Sequence, residues 1–302
     1  MRGRAGMRFV ALVVLGAALV GASACDLEDV VGARFAATRA ETAAFPASSI
    51  PMLELASSNG AVSVRGVPGQ TDVRVTATLR ARGGNQTEAN ARVAAMTIHM
   101  EQQGSRIVLA YRASEQAPDV RRYAGVTFDV TTPAIVDVGA QTSNGAVSVS
   151  SVQGRFDLET SNGEIAIADV VGQLRAGTSN GRISVERVQG VLDLETSNGE
   201  ISMIDVSAAF DASTSNGRIG FSGTAVGDAN TLYTSNGRID IAVSASASIE
   251  FQAETSAGTI SSTLPLVGDT QGKEWLAALN PPTTARIAIR TSNGSIHIAG
   301  RP

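Results

Sequence analysis

The sequence predicts an all-β fold, a parallel β-solenoid or β-helix with coils of roughly 18 residues, joined to a β-rich N-terminal part that contains one short helix. The first observation behind this is a recurring phrase, Thr-Ser-Asn-Gly. Its glycines fall at Gly145, Gly163, Gly181, Gly199 and Gly217, each 18 residues after the last; the beat loosens to Gly237 and Gly258, and Gly294 follows 36 residues on. A short fixed period means one small unit stacked on copies of itself. The second observation is strict alternation between the beats. Ile165 and Ile167, Ile183 and Val185, Ile201 and Met203, Ile219 and Phe221, and Ile239 and Ile241 each share one face of a strand, and their neighbours face water. The third is composition. Aromatic residues are only 4% of the chain and the apolar ones are mostly Val, Ile, Leu and Ala, which suits a narrow core of thin, similar layers.

The elements follow in order along the 302 residues. Arg2, Arg4 and Arg8 form a positive region, Phe9 to Val20 is an apolar stretch of secretory length, and small residues lead to Ala24. Residues 1–24 therefore read as a signal peptide, too short in its apolar part for a membrane span. Cys25, the only cysteine, follows directly, in a setting that resembles a bacterial lipobox. The resemblance implies lipidation of Cys25 and a membrane tether; the alternative is ordinary cleavage at Ala24 with a free thiol. With one cysteine, no disulfide forms within the chain.

Residues 25–49, rich in Ala and Thr without a clear strand period, read as a tether. Residues 50–140 read as β-rich. Ser57-Ser58-Asn59-Gly60 with Val62 and Val64 looks like an isolated first coil, and Val73 to Thr78, Arg106 to Tyr111 and Val126 to Thr131 alternate as strands do. Thr87 to Met96 reads as a short helix. Residues 141–302 read as the repeat array, each period being Thr-Ser-Asn-Gly-x-Ile-x-Ile-x-x-Val-x-Gly-x-Leu-x-Leu/Ala-x. Phe156 and Leu158, Leu174 and Ala176, and Leu192 and Leu194 give the second strand its inner face, and Val152, Val170, Val188 and Val206 fill the bend. Near 265–285 a beat is missing, and Lys273-Glu274-Trp275-Leu276-Ala277-Ala278-Leu279 before Asn280-Pro281-Pro282 predicts an amphipathic helical insertion whose Trp275 covers an open edge.

The repeated pairs Asn144-Gly145, Asn162-Gly163, Asn180-Gly181, Asn198-Gly199, Asn216-Gly217 and Asn236-Gly237 read as structural turns. Glycine takes positive φ freely, asparagine tolerates it, and stacked asparagines can bond as a ladder. Glu164, Arg182, Glu200 and Arg218 alternate in sign just after the glycines, and Arg238 breaks the alternation. Alternating charges relieve like-charge repulsion between stacked coils, so this ladder reads as register control.

Composition excludes several chemistries. The net charge is −4, with no basic run interleaved with aromatics, so nucleic acid is not an expected partner. His99 and His297 are the only histidines, and the turns carry no calcium-type carboxylates, so no metal or other cofactor is expected. No Gly-x-Ser-x-Gly elbow is placed for nucleophilic catalysis. Asp157, Asp193 and Asp211 align as a rank interrupted by Arg175, as in a glycan-active β-helix, although an exposed polar rank is also what a solvent face looks like.

Val126-Thr127-Phe128-Asp129-Val130, leading through Pro133 to Thr142-Ser143-Asn144-Gly145 and on into repeated Asn-Gly-x-Ile-x-Ile, resembles a widespread bacterial family of candidate adhesins, otherwise described as a domain of unknown function. The resemblance covers Ile50 to Ile298 and implies an exported or membrane-linked β-solenoid with no established activity. The functional expectation is a non-enzymatic envelope lipoprotein: a rod on a lipid anchor at Cys25 that presents a polar face to an envelope protein or a glycan. The alternatives are a self-assembling scaffold that stacks end to end, as in bactofilins, and a glycan-active enzyme.

Overall fold

The computed structural model describes residues 35–47, 49–112 and 115–301. Strands β9 (Val147–Thr160), β10 (Ile165–Thr178), β11 (Ile183–Thr196) and β12 (Ile201–Thr214) are each one coil of the array, and they pair in parallel register at a shift of one period. Each runs continuously through the bend. The bend is made by Ser151, Asp169, Arg187 and Asp205, whose φ values of 58°, 57°, 52° and 55° are left-handed. Asp169 and Arg187 drop out of the ladder, which resumes at Val170 against Val188. One extra left-handed residue turns each strand so that the next valine points inward, where Val152, Val170, Val188 and Val206 are all buried. The core is a column of like residues in contact with like: Ile165 on Ile183 on Ile201, and Leu174 on Leu192 on Phe210.

The stack does not follow chain order at either end. Strands β13 (Ile219–Ala225), β14 (Gly227–Thr234) and β15 (Ile239–Val243) continue from β12. The chain then skips a level. β16 (Ile249–Thr255) and β17 (Ile260–Ser262) form the outermost coil, and the C-terminal β20 (Ala285–Thr291) and β21 (Ile296–Gly300) return to fill the gap. Thus β20 lies between β14 and β16, and β21 between β15 and β17. The same device opens the rod. β2 (Met52–Ala56) lies between β6 (Arg106–Ala110) and β8 (Asp137–Thr142), and β3 (Val62–Gly66) between β7 (Ala124–Thr132) and β9. The Asn59-Gly60 coil therefore stacks directly on the Asn144-Gly145 coil.

Antiparallel strands close both ends. β4 (Asp72–Gly83) covers β7, β1 (Phe35–Pro46) covers β4, and β5 (His99–Gln103) covers β6. At the far end β19 (Glu274–Leu279) covers β16, and the short β18 (Val267–Asp269) covers β19. Helix α1 (Gln86–Ala95) is capped by the Asn85 side chain, which accepts from the Glu88 amide, and it buries Ala89 and Val93 against β1 and β4. A second helix, α2 (Pro118–Tyr123), precedes β7.

Three expectations need correction. Within 25–49, Phe35–Pro46 is not a tether but strand β1, with Ala37, Ala43 and Phe45 buried on one face. Small residues make that alternation faint in sequence. Near 265–285 there is no helix. Glu274–Leu279 is a strand, because the bare edge of β16 supplies backbone partners along its length and this outweighs the intrinsic helix preference of Glu-Trp-Leu-Ala-Ala-Leu. Trp275 still lies at this edge, partly buried against the core. The N-terminal part holds two helices, not one.

Candidate binding face

The Thr-Ser-Asn-Gly corner is built by three stacked files. The asparagines form a continuous side-chain ladder. Asn144 donates to Asn59, Asn162 to Asn144, Asn180 to Asn162, Asn198 to Asn180, Asn216 to Asn198, Asn236 to Asn216 and Asn293 to Asn236, each bond from Nδ2 to Oδ1 at 2.7–2.9 Å. The glycines serve a purpose different from the one expected. None of Gly145, Gly163, Gly181, Gly199, Gly217 and Gly237 takes a left-handed φ. A Cβ on Gly181 would fall on the carbonyl oxygen of Gly163, and the same holds one coil on for Gly199 over Gly181. These glycines permit close backbone approach between coils. The left-handed conformation belongs to the other corner, at Ser151, Asp169, Arg187 and Asp205.

The threonines carry the buried polar chemistry. Thr196 is 2% exposed; its Oγ1 accepts from the Gly199 amide at 3.1 Å and donates to the Gly181 carbonyl of the preceding coil at 3.1 Å. Thr160, Thr178 and Thr214 repeat both bonds. Each hydroxyl thus ties its own turn to its neighbour's. The repeated threonine is the sequence signal for this role, and only its place inside the corner reveals it.

The outer surface of the first strands is flat. Ser148, Ala166, Ser184, Ser202 and Gly220 form one file, flanked by the expected charge ladder. Arg182 pairs with Glu200 at 3.1 Å. Arg218 and Arg238, the like-charged neighbours, share Asp240 at 2.8 and 2.6 Å, so the break in alternation is repaired from the adjacent file. A second ladder runs down the bend. Asp169 binds Arg187 at 2.6 Å, and Asp205 is held by Arg301. The hydrogen bond from Arg187 keeps the Asp169 carboxyl below its ordinary range. On the first-strand surface Asp240, His297 and Ser261 fall on one rung, with Ser261 Oγ 3.0 Å from His297 Nδ1. Asp240 is engaged by its two arginines, and the surface is open.

The outer surface of the second strands is more varied. Its central file reads Glu54, Gly139, Asp157, Arg175, Asp193, Asp211, so the rank of aspartates is brought into one line with Arg175 between the first two. Beside it run Gln141, Glu159, Gly177, Glu195 and Ser213 on one flank and Asp137, Arg155, Gln173 and Val191 on the other. Ion pairs run along the files from coil to coil: Arg155 to Asp137 at 3.2 Å and Arg175 to Asp193 at 3.8 Å. Arg106 grips Glu54 through two nitrogens, and that hydrogen bonding holds the Glu54 carboxyl low. Burial, with Asp193 and Glu195 adding repulsion, pushes the Asp211 carboxyl up.

Gly177 faces outward with nothing near the position of a Cβ, and it leaves a hollow of about 350 Å³ between Glu159, Arg175, Asp193 and Glu195. A shallower groove of about 710 Å³ continues over Met52, Gly139, Arg155, Asp157 and Val191. The surface is thus a solvated strip of carboxylates, guanidinium groups and amides, repeated at about 4.8 Å, that can hydrogen-bond an extended polar partner. Among the described residues no cluster of His, Cys, Asp and Glu has metal-site geometry, and no helix is long and apolar enough to cross a membrane. Cys25 lies outside the described residues.

Solved structures with similar chain traces include a candidate cell adhesion protein from Clostridium sporogenes, at 10% identity and TM-score 0.25, covering 87% of this chain and 100% of that one. A candidate adhesin from Bacteroides fragilis is similar at 14% identity and TM-score 0.43, covering 86% and 97%. A candidate lipid-binding protein from Parabacteroides distasonis is similar at 11% identity and TM-score 0.31, covering 87% and 97%. No curated protein matches the chain. The Asn-Gly coils, the in-register stack and a family model that matches residues 50–299 agree: the chain belongs to the Toastrack family, DUF4097.

Proposed function

We propose that this protein is a non-enzymatic lipoprotein of the bacterial cell envelope, exported by its signal peptide and tethered by lipid on Cys25. Its rigid rod presents the second-strand surface to an envelope protein or a glycan. The observation that supports this reading most is the exposed file of Glu54, Asp157, Arg175, Asp193 and Asp211 with the hollow at Gly177. Glu54 is engaged by Arg106, whereas Asp157, Arg175, Asp193 and Asp211 are held in place by strands with only the 3.8 Å Arg175–Asp193 pair among them, which leaves bonding capacity for a partner. A stacked sheet also fixes their spacing without the ordering cost that a loop would add on binding.

The test is binding of the purified full-length protein to isolated envelope material and to a panel of envelope glycans. Arg175→Glu and Asp193→Arg should each weaken binding by about tenfold or more, the loss of roughly 1.4 kcal/mol. Ser184→Arg, on the first-strand surface, should leave binding unchanged. Equal loss from all three substitutions, or loss from Ser184→Arg alone, would refute this surface as the site. Separately, fatty-acid labelling should depend on Cys25, and an unlabelled wild-type protein would refute the anchor.

A further inference from the structure

We infer that the chain pairs with a second copy of itself through strand β1, joining two rods by their N-terminal ends. Among the described residues β1 is the outermost strand of that end, and β4 is its only strand partner. The strand is 12 residues long with no internal proline, and its outer edge is open between Ala36 and Pro46, whose carbonyls accept from the Gln86 and Gln102 side chains. The other end of the rod is finished differently: the outermost strands there, β17 and β18, are 3 residues each. Short edges are protected against pairing; a long, regular edge offers unpaired amides and carbonyls to another strand.

The sequence of β1 names the partner. Phe35-Ala36-Ala37-Thr38-Arg39-Ala40-Glu41-Thr42-Ala43-Ala44-Phe45 reads the same in both directions about Ala40, except that Arg39 mirrors Glu41. An antiparallel pair of identical strands related by a two-fold axis sets each residue against its mirror position. With the axis at Ala40, alanine meets alanine and threonine meets threonine. Arg39 meets Glu41 of the second copy twice, so the one departure from symmetry is the one that makes both contacts attractive. Shifting the register by two residues in either direction would set like charges opposite each other.

The packing of β1 agrees with this. Ala37, Arg39, Glu41, Ala43 and Phe45 point to the side covered by α1, where Arg39 donates to the Ala94 and Met96 carbonyls at 3.2 and 2.9 Å and pairs with Glu41 at 2.7 Å. The charges are therefore already held in the plane where the second copy's charges would arrive. Phe35 lies on this same side and is 44% exposed, whereas Phe45 is 1% exposed. Pairing places each Phe35 beside the other copy's Phe45 and covers it. The result is a closed dimer rather than a filament, because each copy uses its long edge once. This pairing is independent of what binds the second-strand surface.

Cysteine crosslinking tests the register. In the full chain carrying Cys25→Ser, Ala40→Cys places two thiols on the axis, with Cβ atoms about 5 Å apart. Mild oxidation should convert most of this variant to a disulfide dimer. Thr38→Cys alone should give little, because the two positions lie roughly 13 Å apart along the strands, and Thr38→Cys with Thr42→Cys should restore dimer. If Ala40→Cys forms no more dimer than Thr38→Cys, the proposal fails. A charge exchange gives a second reading by sedimentation in a non-denaturing detergent. Glu41→Arg and Arg39→Glu should each raise the dimer dissociation constant by about tenfold, and an equimolar mixture of the two should recover it. A mixture that stays monomeric while both chains keep native circular dichroism would overturn the pairing.

Discussion

Asn293 donates to Asn236 at 2.8 Å across 57 positions of sequence, although the beat at Gly258 lies nearer along the chain. The C-terminal coil has entered the stack between its two predecessors, and Gly258 packs on Gly294 instead of on Gly237.

This order has a direct consequence. Tyr233 and Arg290 are lateral neighbours on adjacent strands, and Glu254 is one strand further out. Neighbouring strands are about 4.8 Å apart, within reach of a disulfide, and the next nearest are roughly 10 Å apart, beyond it. Tyr233→Cys with Arg290→Cys should therefore crosslink on oxidation, and Tyr233→Cys with Glu254→Cys should not, as read by mass spectrometry of peptides. The reverse result would mean that the coils stack in chain order.

The close approach at the Asn-Gly corner separates two glycines four residues apart in one coil. Gly181→Ala drives a methyl group into the Gly163 carbonyl and should cost about 3 kcal/mol or more. Gly177→Ala has open space and should stay within about 0.5 kcal/mol of wild type. Denaturant titration of both variants checks the contrast.

The threonine file predicts a chemical distinction. Thr196→Val keeps the shape but strands the Gly199 amide and the Gly181 carbonyl, at a cost of about 2–4 kcal/mol. Thr196→Ser retains the hydroxyl and should lose less than half as much. Thermal unfolding of the two variants measures the difference.

Asp211 should make stability depend on pH in an unusual direction for a carboxylate. Burial and its acidic neighbours raise its folded-state value above the unfolded one, so the folded chain holds the proton more tightly. Its contribution disfavours folding at neutral pH and improves as pH falls through the raised value. Asp211→Asn should therefore increase Tm near pH 7, with the gain shrinking toward pH 4. A gain that persists unchanged in acid would contradict this cause.

The repeat made the fold legible. Alternation from Ile165 to Ile241 marked the inner face, and the period marked the stack. Three things were not legible, each because partners distant in sequence decide them. The order of coils depends on which edge the returning chain meets. Glu274–Leu279 has a helical preference, and only the bare edge of β16 makes it a strand. The need for glycine at the Asn-Gly corners comes from the carbonyl of the adjacent coil, which leaves no room for a Cβ, and not from the local turn. On the candidate face the aspartate rank was visible as a spacing, whereas the hollow at Gly177 arises only when Glu159 and Glu195 stand on either side of it.

The most direct test of the second-strand surface as the binding face is site-specific photocrosslinking in intact cells. A photoreactive residue in place of Arg175, on the second-strand surface, is compared with one in place of Ser184, on the first. Position 175 should give one discrete adduct, to a protein or a glycan, and position 184 none. The same adduct from both positions, or an adduct from 184 alone, would contradict this placement.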